Sequence, residues 1–462
     1  MLVNPAGVVF GPGSQLNVGG ITASTLAISD ADFLDGDDYH FRGNATASKV
    51  LNRGKLNANG GIVALIAPVV ENEGVIDAPR GAAVLAGRRV GHPGLHGRRA
   101  AFRHRGKSTL DALAENKGLI RADEGRVILA ANAAHDLLSG AVNNTGVIEA
   151  REITRKGGRI LLTGAAVTNK DRLFSERIEL AGDLIINDGE ISANGEGIEG
   201  GGAIGMEASR AIINTGRVSA TGKTGGRIRV ATRNGIDAGE WDASGEDAGG
   251  DIHIRASGNW EQTAAGRMDA SAAAGDGGTI RVTAEKGLWL SGTLDASGGA
   301  PENARGNARG GDISLTADTL TLAGAHLHAD GATDGGRIRA GGGWQGKDTD
   351  LPNARKTRVT ASTELTANAG TSGDGGTVVI WSEETTTFAG AIAATGGRSG
   401  GDGGRAEVSS HDKLGFTGDA DLSAHAGARR KLLLDPKNIV IDDSTPSAYE
   451  VIPLTYARPQ GR

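Results

Sequence analysis

Cysteine is absent from all 462 residues, so no disulfide framework holds this chain together. That absence fits a reducing compartment, and equally a chain that crosses compartments unfolded, where a disulfide would lock it. Aromatic residues are scarce, with 7 Phe, 5 Trp and 3 Tyr. A core built on large rings is therefore excluded, and Val, Ile, Leu and Ala must fill it. No apolar run approaches the roughly 18 residues of a membrane span, so no transmembrane segment is expected. Met1-Leu2-Val3 offers neither the charged nor the apolar region of a signal peptide. Taken alone, these absences would describe a cytoplasmic protein. Charge of one sign is lacking too: the net charge is −6 and interspersed, which argues against a nucleic-acid partner. Disorder is excluded by the 38% of residues that are hydrophobic.

What the chain does have is 76 glycines and internal repetition. The pattern Asn-x-Gly-x-aliphatic-x-Ala starts at Asn52, Asn72, Asn116, Asn144, Asn187 and Asn214, at intervals of 20, 44, 28, 43 and 27 residues. These intervals read as one or two units each. Downstream, "GEWDASG" at Gly239, "GRMDASA" at Gly266 and "GTLDASG" at Gly292 are each followed by a double glycine and an alternating strand such as "GGTIRVTA" at Gly277. Ile280 and Val282 point one way and Arg281 and Thr283 the other, as Ile313 and Leu315 oppose Ser314. Gly, Asn and Asp at the turns tolerate positive φ. A unit of this kind cannot bury its apolar face alone, but stacked copies can. The expectation is an all-β, right-handed parallel β-helix over about residues 4 to 430, with asparagines at one turn position stacked as an amide ladder. A leucine-rich solenoid would need an L-x-x-L-x-L frame, which is absent.

The run "NPAGVVFGPGSQLNVGGITASTLAISDADFLDGDDYHFRG", residues 4 to 43, resembles the haemagglutination-activity, or two-partner secretion, domain of filamentous haemagglutinin-like exoproteins. Residues 112 to 150 look like its continuation, and "LLLDPKNIVID" (432 to 442) resembles a segment recurring in these exoproteins. The resemblance implies a C-terminal part of a secretion domain over 1–165, a β-helical stalk over 166–430 and a partly irregular tail over 431–462. It also implies an N-terminally truncated sequence, because the family carries a signal peptide, a β-capping region and an earlier Asn-Pro motif upstream. Family members have Asn-Pro-Asn-Gly where this chain has Asn4-Pro5-Ala6-Gly7. Those four residues are the candidate recognition site for an outer-membrane transporter, or simply a coil corner. The function implied is that of a secreted or cell-surface adhesin of a Gram-negative bacterium, non-enzymatic, with host or bacterial surface glycans or proteins as further partners. The alternative is a secreted β-helical polysaccharide lyase or hydrolase.

The residues themselves give that alternative little. Asp242, Asp269 and Asp295 recur once per unit, which favours solvated turn positions over a single catalytic carboxylate pair. His253, His326 and His328 lack a metal-ligand spacing. The "GDGG" boxes at Gly275, Gly373 and Gly401 stand singly, unlike tandem calcium-binding nonapeptides, and read as glycine corners. No catalytic residue, cofactor or metal is assigned. The five tryptophans are spread one per unit. A last oddity is Arg88 to Lys107, with seven Lys/Arg, three His and no acid. It is either a polyanion- or membrane-binding stretch or a solvated loop.

Overall fold

The structure, a computed structural model, describes residues 1–441 apart from 36–38, 40, 43–47, 89–94, 97–98, 101–111, 133–139, 152–157, 196–199, 300–307 and 436–437. The chain divides into two units, one of residues 1–194 and 202–219, the other of 195–201 and 220–462.

In the first unit most coils are built from three short strands, two of which fuse in Arg177–Asn187 and in Ala203–Asn214, and each strand pairs in parallel with its counterpart one coil away. Lys49–Asn52, Val69–Asn72, Leu113–Asn116, Ala141–Asn144 and Ala166–Asn169 form one column, asparagine opposite asparagine throughout. Lys55–Asn57, Val75–Asp77 and Leu119–Arg121 open the second column, and Ile62–Ala67, Ala82–Arg88 and Arg126–Asn132 the third. Inward positions such as Val70, Ala114 and Val142 stack in register and are fully buried. This is the parallel β-helix that the repeats predict, because only stacking removes each unit's apolar stripe from water.

The expected amide ladder is present. Asn52, Asn72, Asn116, Asn144, Asn169, Asn187 and Asn214 are fully buried. Each donates from Nδ2 to Oδ1 of the next, at 2.8–2.9 Å. Asn169 is an addition to the sequence reading. It opens "NKD" rather than Asn-x-Gly, and it divides the 43-residue interval into two rungs. The 44-residue interval is corrected the other way. Asn72 bonds Asn116 directly, so it is one rung with extra chain at a corner, not two units.

The third column departs from alternation. In Ile62–Ala67 five consecutive residues are buried, because Leu26 and Phe41 pack against outward Ala64, Ile66, Val84, Ala86, Ile128 and Ala130. The covering segment carries the antiparallel pair Ala27–Ile28 with Phe41–Arg42 and the short helix Asp30–Asp35, with Ser29 Oγ accepting from the Asp32 N–H. Continuous runs such as "IVALIA" are the mark of strands buried on both faces.

The second unit repeats the three-strand coil. Its alternating column includes Asp251–Ala256, Thr279–Ala284, Asp312–Thr316 and Arg337–Ala340. Ile280, Val282, Ile313 and Leu315 are fully buried, as expected. Ser314 is not solvent-facing but buried. Arg339 donates to its Oγ and to both Asp312 oxygens while reaching Asp348 with its other nitrogen. The segment bearing Asp348 therefore closes over that face. At the ladder position Leu290, Leu322, Val359, Phe388 and Phe416 follow one another in register, an apolar stack in place of an amide one. Trp241 and Trp260 are buried with ring centroids 6.3 Å apart, so this core does admit rings. The strands Leu432–Leu433 and Asn438–Ile441, within the "LLLDPKNIVID" segment, continue the parallel register.

The double glycines turn out to serve a different need from positive φ. None of the "GG" pairs preceding the alternating strands has it; among the described residues it occurs at positions such as Gly7, Gly60, Gly373 and Gly401. Instead, a Cβ on Gly277 would lie 1.9 Å from the Ala296 carbonyl oxygen, and one on Gly249 equally close to that of Ala270. The second glycine donates across the coil, Gly278 N–H to the Ala270 carbonyl at 2.7 Å. Backbone touches backbone here, and any side chain would hold the turns apart.

Candidate functional site

Asn4–Gly7 links Leu2–Val3, which pairs with Ile21–Ser24, to Val8–Phe10, which pairs with Lys49–Asn52. The Asn4 N–H donates to the Ser24 carbonyl at 2.9 Å, and Oδ1 of Asn4 accepts from the Ala6 N–H at 3.1 Å. Gly7 N–H closes the turn onto the Asn4 carbonyl at 3.1 Å, with Gly7 at φ +126°. Pro5 presets φ at the second position, and glycine alone takes the last without strain. Oδ1 of Asn4 is thus engaged in its own turn, while Asn4, Pro5 and Ala6 all lie exposed on the surface. Leu2 and Val9 are also exposed, Val9 at 63%. What this corner offers a partner is a rigid, mostly apolar knuckle.

The repeated carboxylates are committed elsewhere. Oδ1 of Asp242 accepts from the N–H and hydroxyl of Ser244, and Asp269 does the same with Ser271. Asp295 accepts from the Ser297 N–H. They are turn positions, as expected; Asp242 is buried, at 6% exposed, while Asp269 and Asp295 are half-buried. The aspartates beside the glycine boxes cap neighbouring coils: Asp334 accepts from Asp374 N–H, Asp374 from Asp402 N–H and Asp402 from Ala428 N–H. A carboxylate used this way does not need a cation. Among the described residues no three His, Asp or Glu converge as a metal site, and no helix is long and apolar enough to cross a membrane.

His326 and His328 stack with centroids 6.4 Å apart, and Nδ1 of His328 is 3.0 Å from Thr366 Oγ1. His253 lies apart from them, in register between Arg229 and Arg281. The structure does not join the three histidines into one centre. Of the tryptophans outside the core, Trp289 is half exposed and Trp381 is buried at the turn Trp344–Gly346. That turn also covers Glu407, whose Oε2 accepts from the Gln345 N–H at 2.8 Å. Burial pushes the Glu407 carboxyl up despite that hydrogen bond. Sequence reasoning missed Glu407, which nothing local distinguishes from an outward strand residue. Most of Arg88 to Lys107 lies outside the described residues; Leu95–His96 and Arg99–Ala100 within it pair antiparallel.

Three comparisons bear on this arrangement. Residues 1–175 match the model of a family described as the TPS secretion domain. Among solved structures, the chain is similar to the HMW1 secretion domain from Haemophilus influenzae, at 16% identity and a TM-score of 0.37, over 85% of this chain and 91% of that one. No curated protein matches the chain.

Proposed function

We propose that this chain is a two-partner-secretion exoprotein, exported by a partner outer-membrane transporter to act as a non-enzymatic adhesin, because residues 1–175 match the TPS secretion domain model. The observation that carries the reading is the family match placed on a β-helix whose repeated carboxylates are engaged in turns rather than gathered in a cleft. Its surface partners would be glycans or proteins of host or bacterial cells. Folding coil by coil outside the cell would bias movement outward, because each added coil buries apolar surface on a formed template. A chain without cysteine suits passage through a pore unfolded. The exposed Asn4–Gly7 corner would be the part the transporter reads.

Export of the chain joined to a restored N-terminus with its signal peptide is tested by blotting culture supernatant against cell lysate in strains with and without the transporter gene. The expected result is a supernatant signal only with the transporter; equal signals would refute transporter-dependent export. Replacing Asn4 and Pro5 by Ala should cut export while leaving synthesis intact. Undiminished export of that variant would reduce the corner to a structural turn.

A further inference from the structure

Many outward charges on neighbouring rungs of this protein are matched. Lys49 pairs with Glu71, Arg53 with Glu73, Arg172 with Glu190, and Arg355 with both Asp318 and Glu384. Matching is expected where rungs lie about 4.8 Å apart, since like charges directly opposite each other destabilise a sheet. Like charges in register can share an opposite partner, as Arg159 and Arg177 share Glu179 and Asp269 and Asp295 share Arg267, but among the described residues one basic stack in the second unit has no such partner. Arg229, His253 and Arg281 are register partners on three successive rungs, and Arg255 follows His253 on the same face. Among the described residues Arg229, Arg255 and Arg281 have no carboxylate within ion-pair distance, and the nearby Asp251 is held by Arg227 at 3.2 Å. An open cavity of about 210 Å³ lies among Arg229, His253, Arg281, Thr279 and the Arg227–Asp251 pair. Burial, then the charges of Arg281, Arg229 and Arg255, hold the His253 ring below its ordinary range, with Asp251 opposing them. A stack of this kind is short of an anion.

We propose that the Arg229–His253–Arg281 stack binds a linear acidic polysaccharide through the sulfate or carboxylate groups along its chain. Guanidinium groups two rungs apart present their donors about 10 Å from each other along the stack, so successive oxyanions of one linear chain can occupy them. Planar guanidinium suits both oxyanions bidentately, and the Thr279 hydroxyl adds a neutral donor. Nucleic acid fits less well. No aromatic side chain lines the cavity for base stacking, and a chain of net charge −6 lacks an extended basic surface. The inference gives a chemical identity to the surface partner of the adhesive reading and rests on that reading for its biological meaning. It is tested on purified protein, so its failure leaves the export result untouched.

The experiment is fluorescence anisotropy of the full chain with labelled heparin fragments, which carry sulfate and carboxylate, with oligogalacturonate, which carries carboxylate alone, and with duplex DNA of matched charge. Saturable, salt-sensitive binding of heparin alone assigns the site to sulfate; binding of both polysaccharides assigns it to either oxyanion. Arg229→Ala with Arg281→Ala should weaken binding at least tenfold, while Arg172→Ala leaves it unchanged. The double variant should melt no lower than the parent, since a like-charge repulsion has been removed, and this separates lost binding from lost folding. The His253 ring resonance should titrate at higher pH with the bound fragment. Undiminished affinity in the double variant, no saturable binding of either polysaccharide, or equal affinity for DNA would each overturn the proposal.

Discussion

Replacing Asn116 by Ala would break the amide ladder in its interior. Asn116 accepts from Asn72 at 2.8 Å and donates to Asn144 at 2.9 Å, and all three side chains are fully buried. The substitution leaves Oδ1 of Asn144 without its donor and Nδ2 of Asn72 with only long approaches to the Gly74 and Leu119 carbonyls, at 3.4 and 3.5 Å. A stranded buried polar group costs about 1–3 kcal/mol, so the two together amount to about 2–6 kcal/mol, with the long approaches favouring the lower half. Asn144→Ala alone should cost as much again. The pair together should cost less than the sum by about 1–3 kcal/mol, because the two changes share one hydrogen bond. Asn52→Ala with Asn187→Ala, far apart on the column, should instead add to within about 0.5 kcal/mol. Denaturant unfolding of the four single and two double variants and native-state hydrogen exchange over residues 113–150 give these numbers. Additivity for the adjacent pair, or a cost below 1 kcal/mol for Asn116→Ala, would refute the ladder as a source of stability.

Two further outcomes follow from the second unit. Gly277→Ala should lower stability by about 3 kcal/mol, as its Cβ meets the Ala296 oxygen at 1.9 Å; Gly11→Ala, with nothing within 4 Å, should stay within about 0.5 kcal/mol in the same melting assay. Glu407 binds its proton more tightly folded than unfolded, so its contribution is full below the ordinary carboxylate range and is lost as pH rises toward the raised value. Glu407→Gln does not titrate; its melting advantage over the parent should therefore be small near pH 4 and grow to a plateau at higher pH. A difference independent of pH would exclude the buried carboxylate as its cause.

The coil and most of the ladder were legible because period-2 alternation and a recurring Asn are local signals. Asn169 escaped because its neighbour two residues on is Asp171 rather than glycine, and the ladder requires the amide, not the glycine. The burial of Ser314 and Glu407 depends on distant chain, Asp348 through Arg339 for one and Gln345 for the other. No period reveals such a cover. The apolar runs at Ile62–Ala67 and Ala82–Arg88 did carry a signal, since alternation fails where both faces are buried. The Arg229–His253–Arg281 stack was invisible for a simpler reason. Each residue occupies an ordinary outward position, and only the register brings them together.

The amides of the ladder all face the same way. Between Asn52 and Asn214 every amide-to-amide bond runs from Nδ2 of the earlier rung to Oδ1 of the later one. Aligned amides polarise one another, so the column strengthens as it lengthens. It also has a head and a tail. A partly built column ends in an unspent donor, which donates to a carbonyl or carboxylate oxygen and rejects an ammonium or a guanidinium. Assembly in chain order thus meets the same chemical question at each turn, and the side chain that answers it leaves that question open for the next.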